Sequence, residues 1–147
     1  MNRENTEHAI AIMERARGKV QMTDWQTTSE FDSNPRYVTS EAELHQCGNT
    51  ACFAGWVALS HEFREWGGSS TGGGVPRIVC TDDSGADAIK RWLDISEDLA
   101  ESLVFGDTQL CSDTLIVYSL FYDKPWDRVE ADDVIEKLKL ILSGELK

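Results

Sequence analysis

Apolar side chains recur every three or four residues along much of the chain, the spacing of one buried face of an α-helix. In the first segment this stripe consists of Ala9, Ile12, Met13 and Ala16. The pattern predicts helices over residues 5–17, 49–66 and 130–143, two more that begin at Ser84 and Ser96, and a single turn at residues 40–44. The glycines expected to end helices are Gly18, Gly106 and Gly144.

Signals for β-strands are few. Residues 77–81, Arg-Ile-Val-Cys-Thr, predict a short strand that pairs with residues 37–39. Residues 67–75 are rich in glycine and serine, and they predict a flexible loop. An apolar run at residues 114–122 fits a helix or a buried strand, and its helical neighbours favour the helix. The expected fold is mainly α: one helical domain over residues 1–147, with a minor β-hairpin or short two-stranded sheet.

The chain is strongly acidic. Its 147 residues carry 14 Lys and Arg against 26 Asp and Glu, a formal net charge of −12. Nucleic-acid backbones and anionic membranes attract cationic surfaces, so neither is an expected partner. No apolar run approaches the ~18 residues of a membrane-spanning helix, and the first residues lack the order of a secretion signal. We therefore expect a cytoplasmic protein whose four cysteines are thiols, most of them buried.

A short motif precedes and opens the helix predicted over residues 49–66, for which Asn49 or Thr50 is the expected cap. Residues 45–56 read His-Gln-Cys-Gly-Asn-Thr-Ala-Cys-Phe-Ala-Gly-Trp. This segment resembles a Cys-Gly-Thr-x-x-Cys-x-Ala-Gly-Trp motif of uncharacterised small bacteriophage and bacterial proteins. The residues that we assign to the structural motif are Cys47, Gly48, Cys52, Gly55 and Trp56. The resemblance implies a phage-type cytoplasmic protein, and it implies no catalytic residue.

The motif also raises two reactive alternatives. A thiol nucleophile at Cys52 needs a histidine base within hydrogen-bond reach, and among the three histidines only His45 is close in sequence. A zinc site would combine His45, Cys47 and Cys52 with Cys80 or Cys111, but no second pair stands at ligand spacing. We therefore expect the motif to form a tight turn with buried thiols, and we expect neither a catalytic residue, a metal nor a cofactor.

Acidic residues are concentrated in one stretch. Residues 82–113 hold nine Asp and Glu against Lys90 and Arg91, a local charge of −7. Carboxylates on the outer side of helices attract a basic partner, whereas the plain alternative is that they only keep the protein soluble. The expected partner-binding residues are Asp82, Asp83, Asp87, Asp94, Glu97, Asp98 and Glu101.

These features favour a non-enzymatic phage-type accessory protein that binds and inhibits a host protein, for instance one that itself binds nucleic acid. A second hypothesis is a protein that sequesters a nucleotide signal. The five Trp residues would then supply stacking surfaces and the loop at residues 67–75 a lid. Against it, anionic nucleotides require Lys or Arg, which are sparse here. A cysteine-dependent hydrolase is the third hypothesis.

Overall fold

The computed structural model describes residues 1–22, 38–46, 49–71, 74–106, 108–110 and 117–146. These residues are mainly α-helical, as predicted. The helices are α1 (Arg3–Arg15), α2 (Glu41–Leu44), α3 (Phe53–Leu59), α4 (His61–Glu65), α5 (Ala86–Leu93), α6 (Glu97–Phe105) and α7 (Ala131–Ser143). The strands are β1 (Gly68–Ser70), β2 (Pro76–Ile78), β3 (Asp83–Ser84), β4 (Thr108–Leu110), β5 (Val117–Ser119) and β6 (Lys124–Pro125), and a 3-10 turn covers Trp126–Arg128.

The ends of the later helices follow local sequence signals. Ser96 caps α6, because its hydroxyl accepts a hydrogen bond from the Leu99 N–H. Gly106 and Gly144 end α6 and α7 with φ values of 74° and 81°, as predicted. Ser84 is not the cap of α5 that we expected, since it belongs to β3.

Helix α1 begins before its predicted start. The side chain of Asn2 is the cap, accepting from the Asn5 N–H, so neither Asn5 nor Thr6 serves as cap. Both are buried, and they make other hydrogen bonds. The side-chain amide of Asn5 donates to the Trp92 carbonyl at 2.7 Å, and the Thr6 hydroxyl donates to the Asn2 carbonyl. The Asn5 bond links the start of α1 to the end of α5, whereas the Thr6 bond is local to α1.

The helix predicted over residues 49–66 is divided at Ser60. This residue is extended, with a ψ of 150°, and it both ends α3 and begins α4. Its buried hydroxyl donates to the Val57 carbonyl and accepts from the Phe63 N–H. Because these bonds satisfy backbone groups at both helix ends, the chain turns here without leaving the core.

Two three-stranded antiparallel sheets replace the single hairpin or two-stranded sheet that we predicted. Strand β2 pairs with β1 and β3, not with residues 37–39, of which residue 37 lies outside the described residues. Strand β1 lies in the segment predicted as a flexible loop. Gly68 allows a close approach there, because a Cβ at this residue would stand 2.3 Å from the ring of the buried Phe63. The strand therefore lies directly against an aromatic side chain of α4.

The second sheet corrects a helix prediction. Residues 117–119 form β5 between β4 and β6, whereas residues 111–116 lie outside the described residues. The register pairs Tyr118 with Gln109 and with Pro125. Of the described part of the apolar run, residues 117–119 are a strand, which is the alternative that the sequence left open, and residues 120–122 form a turn.

The buried residues form a hydrophobic cluster to which every helix contributes. Helix α1 packs on α7, and α5 packs on α6. Helix α3 lies at the centre, and all seven of its residues are buried. The outer sides of α5 and α6 are exposed, and they form the candidate site.

Candidate functional site

The motif lies where α3 begins. Cys52 is the cap, because its buried sulfur accepts a hydrogen bond from the Gly55 N–H at 3.4 Å, in place of the expected Asn49 or Thr50. Trp56 is fully buried one turn later, as predicted, and its indole N–H donates to a backbone carbonyl. Cys52 is thus buried at the helix start, just before the first turn in which we expected it.

A single lysine holds the chain that precedes the motif. The Lys19 ammonium donates to the carbonyls of Leu44, His45 and Gln46, at 3.3, 2.9 and 2.8 Å. These carbonyls lie at the C-terminal end of α2, where a cation is favoured. Lys19 also accepts the indole bond of Trp56 through its own carbonyl, at 3.3 Å. Lys19 was not among the candidate residues, because nothing in its position along the sequence links it to the motif.

The other candidate zinc ligands are the cysteines Cys47, Cys80 and Cys111. Cys47 and Gly48 lie outside the described residues, as does Cys111. Of the two described cysteines, Cys52 is buried and Cys80 is exposed. Among the described residues, no three His, Cys, Asp or Glu side chains are grouped as metal ligands. The described residues of the motif that we assigned, Cys52, Gly55 and Trp56, are buried.

Four of the seven predicted partner-binding carboxylates bind cations of the chain itself. Asp82 pairs with Arg77 at 2.6 Å. Asp94 pairs with the Met1 amine at 3.0 Å. Asp82 and Asp94 also have positive φ values, 61° and 52°. Both are therefore poor positions for a charge-reversing lysine, because longer side chains tolerate this backbone less well than aspartate does.

Asp83 and Glu97 are the other two paired carboxylates. The Thr81 hydroxyl and the Arg91 guanidinium donate to Asp83, and they lower the pKa of its carboxyl. The Lys90 ammonium donates to Glu97 at 2.9 Å and lowers its pKa. Lys90 and Arg91 are already counted in the local charge of −7, so only the pairs with Arg77 and with the Met1 amine make the acidic stretch less negative than the sequence count indicates.

We predict that Lys90→Met raises the pKa of Glu97 toward its ordinary value of 4.5. The folded-state pKa lies below the unfolded-state value, so this pair stabilises the fold above about pH 4.5, and the stabilisation is lost as the pH falls through the folded-state pKa. An NMR titration of the Glu97 carboxyl carbon measures the change. Lys139→Met, on α7, is the control and should leave that titration unchanged. An identical Glu97 titration in both variants would contradict the pairing.

The remaining three predicted carboxylates have no ion pair within the described residues: Asp87, Asp98 and Glu101. Asp98 and Glu101 stand three residues apart on α6, so they share one side of that helix. Phe105 follows four residues later on the same side, and half of its surface is exposed (50%). We call Asp98, Glu101 and Phe105 the α6 face. The spacing of 98, 101 and 105 was present in the sequence, but the sequence analysis did not include the phenylalanine.

The backbone places a second apolar residue near the end of the α6 face. The Ser119 hydroxyl donates to the Gly106 carbonyl, which follows Phe105 directly. Leu120, the next residue after Ser119, is 56% exposed. The carboxylates of the α6 face are thus followed by a partly apolar surface at the C-terminal end of the helix.

Cations elsewhere in the described part of the chain are mostly engaged. Of the twelve Lys and Arg side chains described, ten donate to a carboxylate or carbonyl or lie over an aromatic ring. The other two are Arg128 and Lys139. Uncompensated charge in these ranges is therefore predominantly negative, which opposes contact with a polyanion.

No protein-family model, curated protein or solved structure matches this chain. Within the described ranges, no helix is both long enough and apolar enough to cross a bilayer. The class of protein is defined here by its geometry, a mainly α-helical chain with an acidic helix face that ends in an exposed aromatic side chain.

Proposed function

We propose that this protein is a non-enzymatic accessory protein of the phage type, which binds and inhibits a basic host protein through the α6 face. The observation that carries the proposal is the arrangement of Asp98, Glu101 and Phe105 on one side of one helix. The phage part of the proposal rests on the motif at residues 45–56. The proposed binding of a basic protein rests on the charge and the exposure of the α6 face.

The exposed aromatic side chain favours binding over solubility as the reason for the acidic face. Carboxylates alone improve solubility, but a half-exposed Phe105 beside them does not. Protein interfaces are enriched in aromatic side chains, and charges around them guide association and select the partner. An acidic stripe that ends in phenylalanine therefore fits a basic protein surface that carries an apolar pocket.

The engaged cations favour a protein partner over a nucleotide signal. A nucleotide phosphate needs Lys, Arg or free backbone N–H groups directed at one point. Among the Lys and Arg side chains of the described ranges, only Arg128 and Lys139 neither donate a hydrogen bond nor lie over an aromatic ring. A host protein that binds nucleic acid is a fitting partner, because its cationic surface accepts carboxylates in place of phosphates.

We predict that Asp98→Lys with Glu101→Lys weakens binding of the host partner about tenfold or more, because attraction becomes repulsion across the interface. Asp94 is left out of the reversal because its carboxylate already binds the Met1 amine. The matched control is Glu14→Lys with Glu136→Lys, which changes the net charge equally at exposed positions on α1 and α7.

The measurement is capture by immobilised protein from a bacterial lysate at low and high salt, followed by mass spectrometry and affinity determination for the captured protein. We expect the control to retain the partner, and we expect high salt to weaken its capture. Equal affinity for both variants, or capture that ignores salt, would show that the α6 face serves only solubility.

A further inference from the structure

The described part of the chain contains the same succession of elements twice. Helices α3 and α4 are followed by strands β1, β2 and β3, and helices α5 and α6 are followed by strands β4, β5 and β6. Each set of three strands forms its own antiparallel sheet, with the second strand in the middle. We call the described residues of 53–84 the first unit and those of 86–125 the second unit. The pattern of apolar positions did not predict this repeat.

The two sheets have the same register. In both units the first strand pairs with the second over three residues, and a four-residue turn joins the second strand to the third. The turns are residues 79–82 and 120–123, and each ends in an aspartate with a positive φ, 61° at Asp82 and 54° at Asp123. Residues other than glycine seldom adopt this conformation. Its recurrence at the same position indicates that the two turns have the same geometry.

The second helix of each unit begins and ends in the same way. Ser60 caps α4 and Ser96 caps α6, and each hydroxyl accepts a hydrogen bond from the N–H three residues later, where both helices have a buried apolar side chain. Gly67 and Gly106, both with a positive φ, stand just beyond the two helix ends. Helix α6 has 9 residues against 5 in α4, which adds about one helical turn.

Exposed apolar side chains recur at the same places in both units. Of the five large apolar side chains that are exposed among the described residues, four belong to the repeat. Trp66 and Phe105 stand at the ends of α4 and α6, and Val79 and Leu120 are the first residues of the two turns. Single exposed apolar residues need no explanation. Two pairs at equivalent positions indicate a surface that both units have in common.

The two copies of this common surface differ in charge. Helix α4 carries two carboxylates and one guanidinium, whereas α6 carries three carboxylates and no cation. In each helix a cation from another helix binds one carboxylate, since Arg15 binds Glu62 and Lys90 binds Glu97. The second unit therefore presents the more negative version of the surface, which attracts a basic partner more strongly.

We infer that the two units are copies of one structural unit, and that the basic partner contacts the second copy of the surface that they share. For the partner this rests on the proposed function and deepens it, since it adds Leu120 to the contact and leaves the first unit out of it. Charge complementarity carries the choice, because a cationic surface gains more from α6 than from α4. The equivalence of the two units does not depend on the partner.

The first test transfers one turn to the other unit. Residues 79–82 are replaced by Leu-Phe-Tyr-Asp, the sequence of residues 120–123. All four replaced positions are exposed, and the aspartate with the positive φ is kept. The matched control, Leu-Phe-Asp-Tyr, has the same composition but places tyrosine at the positive φ. We expect the thermal midpoint of the control to lie about 2–4 °C below that of the transferred turn. Equal midpoints would overturn the equivalence of the turns.

A measurement on the unchanged chain covers the case in which a variant does not fold. A positive φ brings the Hα of a residue close to its own amide proton. NMR should therefore show a strong nuclear Overhauser effect between these two protons in Asp82 and also in Asp123. A strong effect in one aspartate and a weak one in the other would overturn the equivalence of the two units.

The second test measures the charge of the two surfaces without the partner. The probes are a cationic and a neutral nitroxide, each added to the isotope-labelled full chain, and the observable is the paramagnetic relaxation of the amide protons. We expect the ratio of the cationic to the neutral effect to be about twofold larger at residues 97–105 than at residues 61–66. Equal ratios would overturn the assignment of the contact to the second unit.

Two equivalent substitutions separate this inference from the proposed function. We expect Leu120→Ser to weaken the affinity for the captured host protein about threefold or more, and Val79→Ser to leave it unchanged. Equal effects of the two variants would overturn the assignment to the second unit, and the proposed function would stand as long as reversal of Asp98 and Glu101 weakens binding. Binding that this reversal leaves unchanged would overturn the proposed function and the contact, whereas the turn tests would still decide the repeat.

Discussion

Trp56→Ala is expected to lower the free energy of unfolding by about 3–5 kcal/mol, the usual cost of truncating a buried aromatic side chain to alanine. Trp56 is fully buried in the central helix α3. Its indole N–H bonds the Lys19 carbonyl, and its ring meets the His45 ring edge-on at 5.2 Å between centroids. The variant therefore loses packing and also leaves a carbonyl without its donor. Chemical denaturation followed by circular dichroism measures the loss.

Trp66→Ala is the matched control for that variant. Trp66 stacks on Phe63 but is 39% exposed, so its truncation removes much less buried surface. We expect its cost to be about 1–2 kcal/mol. Equal losses in the two variants would contradict a core role for Trp56, and with it the structural interpretation of the motif.

Gly106→Ala is expected to cost about 2–4 kcal/mol. The residue ends α6 with a φ of 74°, a conformation that costs a non-glycine residue about 1 kcal/mol. A Cβ there would also stand 2.0 Å from the ring of Trp126, which is itself buried. Overpacking of this kind adds roughly 1–3 kcal/mol. The thermal midpoint and the denaturant midpoint should both fall.

Gly144→Ala separates the two causes. Gly144 ends α7 with a similar φ of 81°, but a Cβ there meets nothing within 4 Å. Only the backbone cost remains, so we expect a loss of about 1 kcal/mol. If both glycine variants lose the same amount, the Trp126 ring moves aside without cost, and the tight contact at Gly106 is not a constraint on the fold.

Helix ends could be predicted from the sequence where the signal is local. Ser96 and Gly106 lie next to the backbone groups that they satisfy, and α6 appears between them as expected. Ser60 was missed because a serine inside an apolar run does not interrupt the helical spacing. Strand β2 overlaps the strand predicted at residues 77–81, but β1, β3, β4 and β6 were missed because two or three residues are too few for an alternating pattern.

The candidate site was predictable in composition but not in geometry. The sequence identified the carboxylates of residues 82–101 as a group. It did not show that Asp94 is bound by the Met1 amine or Asp83 by Arg91, because these pairs form only when separate elements meet. Helical spacing did contain the α6 face, since Asp98, Glu101 and Phe105 follow one another at intervals of three and four.

The hydrogen bonds of the Lys19 ammonium bear on the local unfolding of α2. Helix α2 is one turn long, and within it only Leu44 is buried, so it is held in place mainly by side-chain bonds from Lys19, Arg15 and Asn49. Regions with few buried contacts open locally at a lower free energy than the whole fold. The amides of α2 should therefore exchange with solvent deuterium long before those of α7. The segment that precedes the motif opens and closes locally while the core around Trp56 stays folded.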